Sequence, residues 1–203
     1  MEKLKVKTEK PEKNIIKAAA KAIKSGGLVI FPTETVYGIG ANAFDPEAVK
    51  KIFKIKNRPQ EIPLQVLISD VSQIKQLARD VPKKAGEFMK KHWPGPLTLV
   101  LNKSEKVSNA VSGGKDSVGL RMPDHKVILE LIKESGVPIA ATSANIHGNP
   151  SPKTAEEAVK ELGSADLVID GGECKIGVPS TVIDATQDPP KVLRQGSLQI
   201  IGE

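Results

Sequence analysis

Cysteine is nearly absent: the 203-residue chain has one, Cys174. A single thiol excludes an internal disulfide and a multi-cysteine metal site, and it favours a reducing compartment. Aromatic residues make up 3% of the chain, four Phe, one Tyr and one Trp. So few rings form no stacking platform for single-stranded RNA. The histidines His92, His125 and His147 lack metal-ligand spacing, so no metal site is expected. No apolar run approaches the roughly 18 to 20 residues of a membrane span, and the N-terminus MEKLKVKTEK lacks the apolar stretch of a signal peptide. The expectation is a soluble, cytoplasmic protein with no membrane attachment. No G-x-x-x-x-G-K-[ST] loop occurs, since Gly113-Gly-Lys-Asp-Ser117 is too short, and there is no G-x-S-x-G elbow.

What is present is enough for one sizeable core, at 39% hydrophobic residues. The charge is unevenly spread. Residues 1–25 hold eight Lys and three Glu, a net of +5, while the other 178 residues hold 22 basic and 21 acidic groups, a net of +1. Such an excess favours phosphate polyanions, or forms a solvated lysine-rich edge. Arginine is scarce: Arg58, Arg79, Arg121 and Arg194. In a chain that otherwise uses lysine, an arginine marks a place that needs a planar, bidentate fork.

Periodicity predicts an alternating chain. Residues 4–7 read as an edge strand, and residues 1–13 as a basic N-terminal segment preceding one domain over 14–203. Asn14–Ser25 reads as a helix stopped by Gly26-Gly27, and Leu28–Phe31 as a buried strand. Asp45-Pro46 caps a helix that ends near Asn57. Leu64–Ile68 is a strand, and Asp70 caps the helix after it. Helices follow at Pro82–Lys91 and Asp124–Glu134, with strands at Leu97–Leu101, Val118–Arg121 and Pro138–Ala141. Thr154 and Glu157 form a capping box. Leu167–Ile169, Thr181–Ile183, Val192–Leu193 and Leu198–Ile201 finish as strands. The pattern indicates an α/β fold with a twisted, mixed parallel and antiparallel sheet and flanking helices.

Ligands bind at strand ends in such sheets, and several strand ends here are polar. Pro32-Thr-Glu-Thr-Val-Tyr-Gly38 brings two hydroxyls, a carboxylate and the lone tyrosine together. It serves either a ligand, with Gly38 and Gly40 allowing close backbone approach, or an ST-turn with a packed tyrosine. Lys56 and Arg58 lie two apart where the second helix stops. In an extended segment they share a face and clamp adjacent phosphates; the competing reading is favourable cations at a helix C-terminus. Thr142-Ser-Ala-Asn145, Val178-Pro-Ser-Thr-Val-Ile-Asp184 and Leu193-Arg-Gln-Gly196 each add polar groups at a strand edge. Cys174 has no paired base and is expected to be inert.

The ordered set PTETVYGIGANA, KNRP, WPGPLTLVL, GLRMPDH, TSAN, PSTVID and LRQG resembles the YrdC-like family, from about residue 14 to 199. The resemblance implies a twisted α/β sheet around a concave, basic cavity, and threonylcarbamoyl-AMP synthase activity. The reaction implied joins L-threonine, bicarbonate or CO2, and ATP into L-threonylcarbamoyladenylate, releasing pyrophosphate. A threonylcarbamoyl transferase complex then modifies the tRNA adenosine next to the anticodon. By position, Thr35, Arg121, Ala141 and Ser180 would hold threonine. Lys56, Arg58, Ser117, Ser143, Asn145, Ser151 and Arg194 would hold the nucleotide, with Lys56 and Arg58 catalytic. Mg²⁺ would ride on the phosphates without a protein cage.

There are departures from the family pattern. Many relatives have a histidine in PL-x-V-H where this chain has Leu67, as in the shorter branch. Thr142 stands where a proline precedes Ser-Ala-Asn. A further C-terminal domain of longer relatives is not expected here. The alternative reading is an RNA-binding or ribosome-assembly module, binding tRNA or double-stranded RNA through the basic cavity without turnover. A carbamoyl-adenylate enzyme of the hydrogenase-maturation type would need zinc-finger cysteines that this chain lacks.

Overall fold

A computed structural model of the chain describes residues 2–163 and 165–200. Among these residues, one mixed sheet of ten strands carries the fold. The strands are β1 (Glu2–Lys5), β2 (Val29–Phe31), β3 (Gly38–Asn42), β4 (Gln65–Leu67), β5 (Leu97–Asn102), β6 (Ser117–Arg121), β7 (Ile139–Ser143), β8 (Leu167–Asp170), β9 (Thr181–Asp184) and β10 (Lys191–Arg194). Their order is β1-β8-β2-β3-β7-β4-β6-β5-β9-β10. β8 is parallel to both β1 and β2, β4 to β6, and β5 to β9; the remaining pairs are antiparallel.

Helices form where the apolar spacing and caps ask for them. In α1 (Lys13–Lys24), Ile15, Ile16, Ala19, Ala20 and Ile23 are buried on one face. In α6 (Lys126–Ser135), Val127, Ile128, Leu131 and Ile132 are buried. These two helices pack together on one face of the sheet, over Val29, Phe31, Leu67, Ile139, Leu167 and Ile169. Burial of each such side chain stabilises by ~1.5–3 kcal/mol. Between them in sequence lie α2 (Pro46–Lys56), α3 (Ile74–Leu77), α4 (Lys83–His92) and the short α5 (Asn109–Ser112); α7 (Ala155–Leu162) follows β7. The opposite face carries the larger core, with Ile30, Ile39, Val66, Leu120 and Ala140 of the strands against Val49, Ile52, Phe53 and Phe88.

Side chains alternate across a strand, so Gln65 shares a face with Leu67, and Gly119 with Arg121. Leu67 lies under α1 and α6, whereas Gln65, Gly119 and Arg121 do not. The helices thus cover only part of that face. The rest of it is open and floors a cavity.

Several expectations are corrected. β3 was not anticipated, because Gly38-Ile-Gly-Ala-Asn42 has little strand propensity. Its glycines do not make room for a ligand. A Cβ on Gly40 would lie 2.4 Å from Ile139 Cγ2 and 3.0 Å from Phe31 Cε1, and one on Gly38 would lie 2.8 Å from Phe31 Cε2. They let large side chains cross the strand. Gly40→Ala is therefore expected to destabilise by ~1–3 kcal/mol through overpacking, read as a lower denaturant midpoint at unchanged slope. Asp70 does cap, but its first turn is a 3-10 turn at Val71–Gln73 before α3. Leu198 and Ile200 are partly buried against the core rather than forming a strand, and residue 201 of that expected strand lies outside the described residues. The Thr154 hydroxyl accepts from Glu157 N, but the Glu157 carboxylate returns to Lys153 N at 2.6 Å instead of to Thr154.

Candidate active site

The cavity holds about 480 Å³ and is lined by Thr35, Arg58, Ser117, Arg121, Ala141, Ser143, Ser151, Ser180 and Arg194 among others. Nine of the residues singled out in the sequence therefore converge on one space. Lys56 and Asn145 do not line it. The sequence did not single out Gln65, Thr98 and Lys115, which do. Gln65 and Thr98 sit inside apolar runs, at positions whose alternation puts them on the cavity face. That polar interruption of a buried strand was the available signal.

Arg121 is 2% exposed and ends β6. Its Nε donates to Gly95 O at 3.2 Å, and its Nη2 donates to the Thr35 hydroxyl at 3.0 Å. The WPGP loop thus serves as a rest for this guanidinium. Glu34 approaches the same Nη2 at 2.7 Å as a buried ion pair, yet neither of its oxygens has hydrogen-bond geometry to any donor among the described residues. Distance alone makes this an attraction of charge. No acceptor among the described residues takes Nη1, which leaves it for a ligand.

The PTETVYG stretch divides its labour. Thr33 makes an ST-turn, its hydroxyl donating to Val36 O at 2.7 Å and accepting from Val36 N. Tyr37 is fully buried, donating to Gly172 O at 2.7 Å and accepting from Gly171 N at 3.1 Å, and burial drives its hydroxyl pKa up. Only Thr35 and Val36 reach the cavity. Cys174 is buried, and burial pushes its thiol up to about 11, which leaves little thiolate at neutral pH.

Lys56 and Arg58 part company. Lys56 is the last residue of α2, and Asn57 turns left-handed at φ 48°, so the pair is not extended and does not share a face. Lys56 is 1% exposed, and its ammonium donates to Ser143 O at 2.6 Å and closely to Asn145 O. It is a strut under the Thr142–Asn145 loop. Asn145 braces the same loop, its Nδ2 donating to Ile146 O at 2.9 Å and Asn149 O at 2.7 Å. Glu161 takes Ile146 N and Asn149 Nδ2. Thr142 and Ser143 are what this scaffold presents to the cavity. Arg58 points inward, its Nε and Nη2 donating to Ile62 O at 3.2 Å and Pro63 O at 2.9 Å. Arg194 forks onto Ser180 O through Nε at 3.1 Å and Nη2 at 2.8 Å.

Burial and then the neighbouring Arg58 charge pull Lys56 down to about 7. The unfolded chain keeps that proton up to about 10.5, so between the two values the unfolded state binds more protons. Stability is therefore expected to rise with pH from about 7 towards 10, by up to ~1.4 kcal/mol per pH unit from this group. Lys56→Met should lose that slope in denaturant titrations. Parallel profiles for the two proteins would refute it. A neutral amine still has two N–H groups for the two carbonyls, so the strut outlasts its charge.

Among the described residues the cavity wall is strongly basic: Arg58, Lys115, Arg121 and Arg194 stand against one carboxylate, Asp184. Burial depresses Arg58 and Arg194, and then the charge of Arg194 weighs on Arg58 and that of Arg121 on Arg194. Guanidiniums stay charged, so the crowding is relieved only by an anion.

A family model described as "Telomere recombination", for Sua5, YciO and YrdC, matches residues 21–196. The chain belongs to the Sua5/YciO/YrdC family. Its relatives include a threonylcarbamoyl-AMP synthase of Pyrococcus abyssi, 50% identical over 96% of this chain and 59% of the relative. Another from Bacillus subtilis is 48% identical over 90% of this chain and 54% of the relative. The chain thus spans a little more than half the length of these family members. Pyrococcus abyssi Sua5 complexed with L-threonine superposes with a TM-score of 0.94 at 50% identity, over 97% of this chain and 58% of that one. The mixed sheet and flanking helices are those of the family, and no helix among the described residues is long and apolar enough to cross a membrane.

Proposed function

We propose that the cavity joins L-threonine, bicarbonate and ATP into L-threonylcarbamoyladenylate and pyrophosphate. The observation that carries this reading lies along β6. Arg121, with Thr35 beside it, stands at one end of the cavity face. Ser117 stands at the other, four residues and ~13 Å away, near Ser143 and Arg58. One end suits an amino acid carboxylate, and the other a phosphate chain. The likeness to a Sua5 complexed with L-threonine supports threonine as the amino acid.

The Nη1 of Arg121 holds the threonine carboxylate by a charge-assisted hydrogen bond. The Thr35 hydroxyl, whose proton goes to Thr33 Oγ1, accepts from Nη2 and sets the guanidinium. The free amine takes up the carbon of bicarbonate, water is released, and a carbamate results. A carbamate oxygen attacks the α-phosphorus of ATP, a new P–O bond forms, the bond to the β-phosphate oxygen breaks, and pyrophosphate leaves. Arg58, Lys115 and Arg194 neutralise charge on the phosphates, while Ser117, Ser143 and Ser151 fix the nucleotide. Lys56 and Asn145 act by shaping the loop that carries Ser143. Little proton transfer is asked of any side chain; the acceleration comes from placement and charge.

ATP brings Mg²⁺. Among the described residues no group of three or more His, Cys, Asp or Glu is placed to hold a metal ion. Asp184 has its oxygens engaged by Thr186 and Gln187. The ion therefore fits as part of the Mg-ATP substrate, with no step routed through the protein. The product suits a downstream threonylcarbamoyl transferase complex acting on tRNA, in the cytoplasm.

The test is pyrophosphate release from ATP that requires both L-threonine and bicarbonate. Release that ignores the identity of the amino acid across a broad panel would defeat the assignment.

A further inference from the structure

From Arg194, placed above on the phosphates, a polar chain runs through Ser180 to Thr98 and Gln65, two cavity residues with no role so far. Arg194 Nη2 donates to the Ser180 hydroxyl at 3.2 Å. Ser180 and Thr98 hydroxyls meet at 2.9 Å. Thr98 donates to Gln65 Oε1 at 2.8 Å. A carboxamide oxygen only accepts, so the single Thr98 proton is spent on Gln65, and the proton between Ser180 and Thr98 comes from Ser180. The chain therefore runs one way, from guanidinium through two hydroxyls to the Gln65 carbonyl. Each bond polarises the next and strengthens the donors at the far end. That far end is the Gln65 Nε2 group. Gln65 lines the cavity, and its Nε2 donates to nothing among the described residues.

Register places this donor. Gln65 pairs with Gly119 of β6 and with Ala141 of β7. Gly119 is midway between Ser117 and Arg121, hence midway between the phosphate end and the carboxylate end. Space is reserved there as well. A Cβ on Gly119 would come within 3.2 Å of Thr98 Cγ2 and 3.8 Å of Gln65 Cβ, and its absence opens the floor beside the carboxamide.

Resting on the reaction proposed above, we propose that Gln65 binds the one-carbon reactant, first bicarbonate and then the threonine carbamate. The chemistry suits a neutral donor. One carbamate oxygen must keep its electron density to attack the α-phosphorus. A carboxamide N–H on the other oxygen holds the group in place without neutralising it. A lysine or arginine at this point would quench the nucleophile.

The experiment compares wild type, Gln65→Leu and Gln65→Glu in pyrophosphate release, with bicarbonate varied at saturating ATP and L-threonine. Gln65→Leu is expected to raise the KM for bicarbonate ~10-fold, the worth of a hydrogen bond to a charged group. Gln65→Glu should raise it further, because its carboxylate faces an anion. The KM for ATP should stay within about twofold in both, on the same reasoning that no phosphate contact is lost. A role limited to holding Thr98 predicts a different result, since the carboxylate introduced by Gln65→Glu accepts the Thr98 proton as well as the amide does. Gln65→Glu with a bicarbonate KM within about twofold of wild type would overturn the inference. If wild type itself releases no pyrophosphate with threonine and bicarbonate, the reaction fails and the inference falls with it. An active wild type with unresponsive variants sinks the inference alone.

Discussion

Replacing Arg121 with methionine is expected to cut threonine-dependent pyrophosphate release ~10³-fold and to weaken the fold by ~3–5 kcal/mol. Two losses combine. The first is the carboxylate anchor: Arg194 is held at Ser180 O and Arg58 at Ile62 O and Pro63 O, so neither fork is placed where Arg121 stands beside Gly95 O and Thr35. The second is the counter-charge of Glu34, which is 5% exposed and whose carboxylate has no hydrogen bond among the described residues. Breaking a buried pair from one side costs more than the pair contributed, because an ion is stranded in a medium that solvates it poorly. Arg121→Lys restores charge but not the fork that reaches Gly95 O and Thr35 together, so it should recover stability better than turnover. The double variant Arg121→Met, Glu34→Gln separates the two losses. Its carboxamide has no charge to strand, so denaturant unfolding should regain most of the lost stability while turnover stays absent. A double variant no more stable than Arg121→Met would contradict the ion-pair account. An Arg121→Met protein that kept its threonine-dependent rate within about tenfold would remove Arg121 from the substrate site.

How much of this was legible in the sequence depends on the kind of signal. Periodicity and caps found α1, α2, α4 and α6 to within a few residues, because an amphipathic face and an Asp45-Pro46 start are local facts. β3 escaped because its glycines answer to Phe31, across the β2–β3 pairing, and to Ile139, about a hundred residues on in the chain, contacts that appear only once the sheet is assembled. Thr35, Arg121 and Arg194 stood out as polar residues at strand ends and Arg58 as a cation past a helix end, but that they share one site was implied by the family resemblance alone. The separation of Lys56 from Arg58 was not legible, since it hangs on one left-handed residue, Asn57. Gln65 was hidden for the opposite reason: its strand is mostly apolar, and only the register with Gly119 sets it midway along the cavity floor. The lysine-rich N-terminus also changes meaning. Lys3 lies 3.1 Å from Asp170, and no residue from 2 to 25 lines the cavity. The charge that counts chemically is the small arginine set.

Within that set, Arg58→Ala is expected to lower kcat/KM for ATP by ~10²–10³, with the KM for threonine within about threefold of wild type. Of the five N–H donors of its guanidinium, Nε and Nη2 each give one to a backbone carbonyl, which fixes the plane and leaves the rest for phosphate oxygens. The alanine variant loses that preorganised charge but also the repulsion from Arg194, which already weighs on Arg58 in the free protein. The opposing terms should leave stability nearly unchanged, so lost activity would not report unfolding. Arg58→Lys keeps the charge without the carbonyl-held fork, and should fall between the two, ~10-fold below wild type. The same variants decide against or for a purely RNA-binding cavity. Such a cavity has no nucleotide turnover to lose; Arg58→Ala would weaken RNA binding uniformly across sequences and reduce the slope of log affinity against log salt by ~1. An enzyme site shows instead a large ATP-specific defect at constant salt, with threonine affinity spared. A variant whose ATP kinetics match wild type while its RNA salt slope falls would move the cavity out of catalysis.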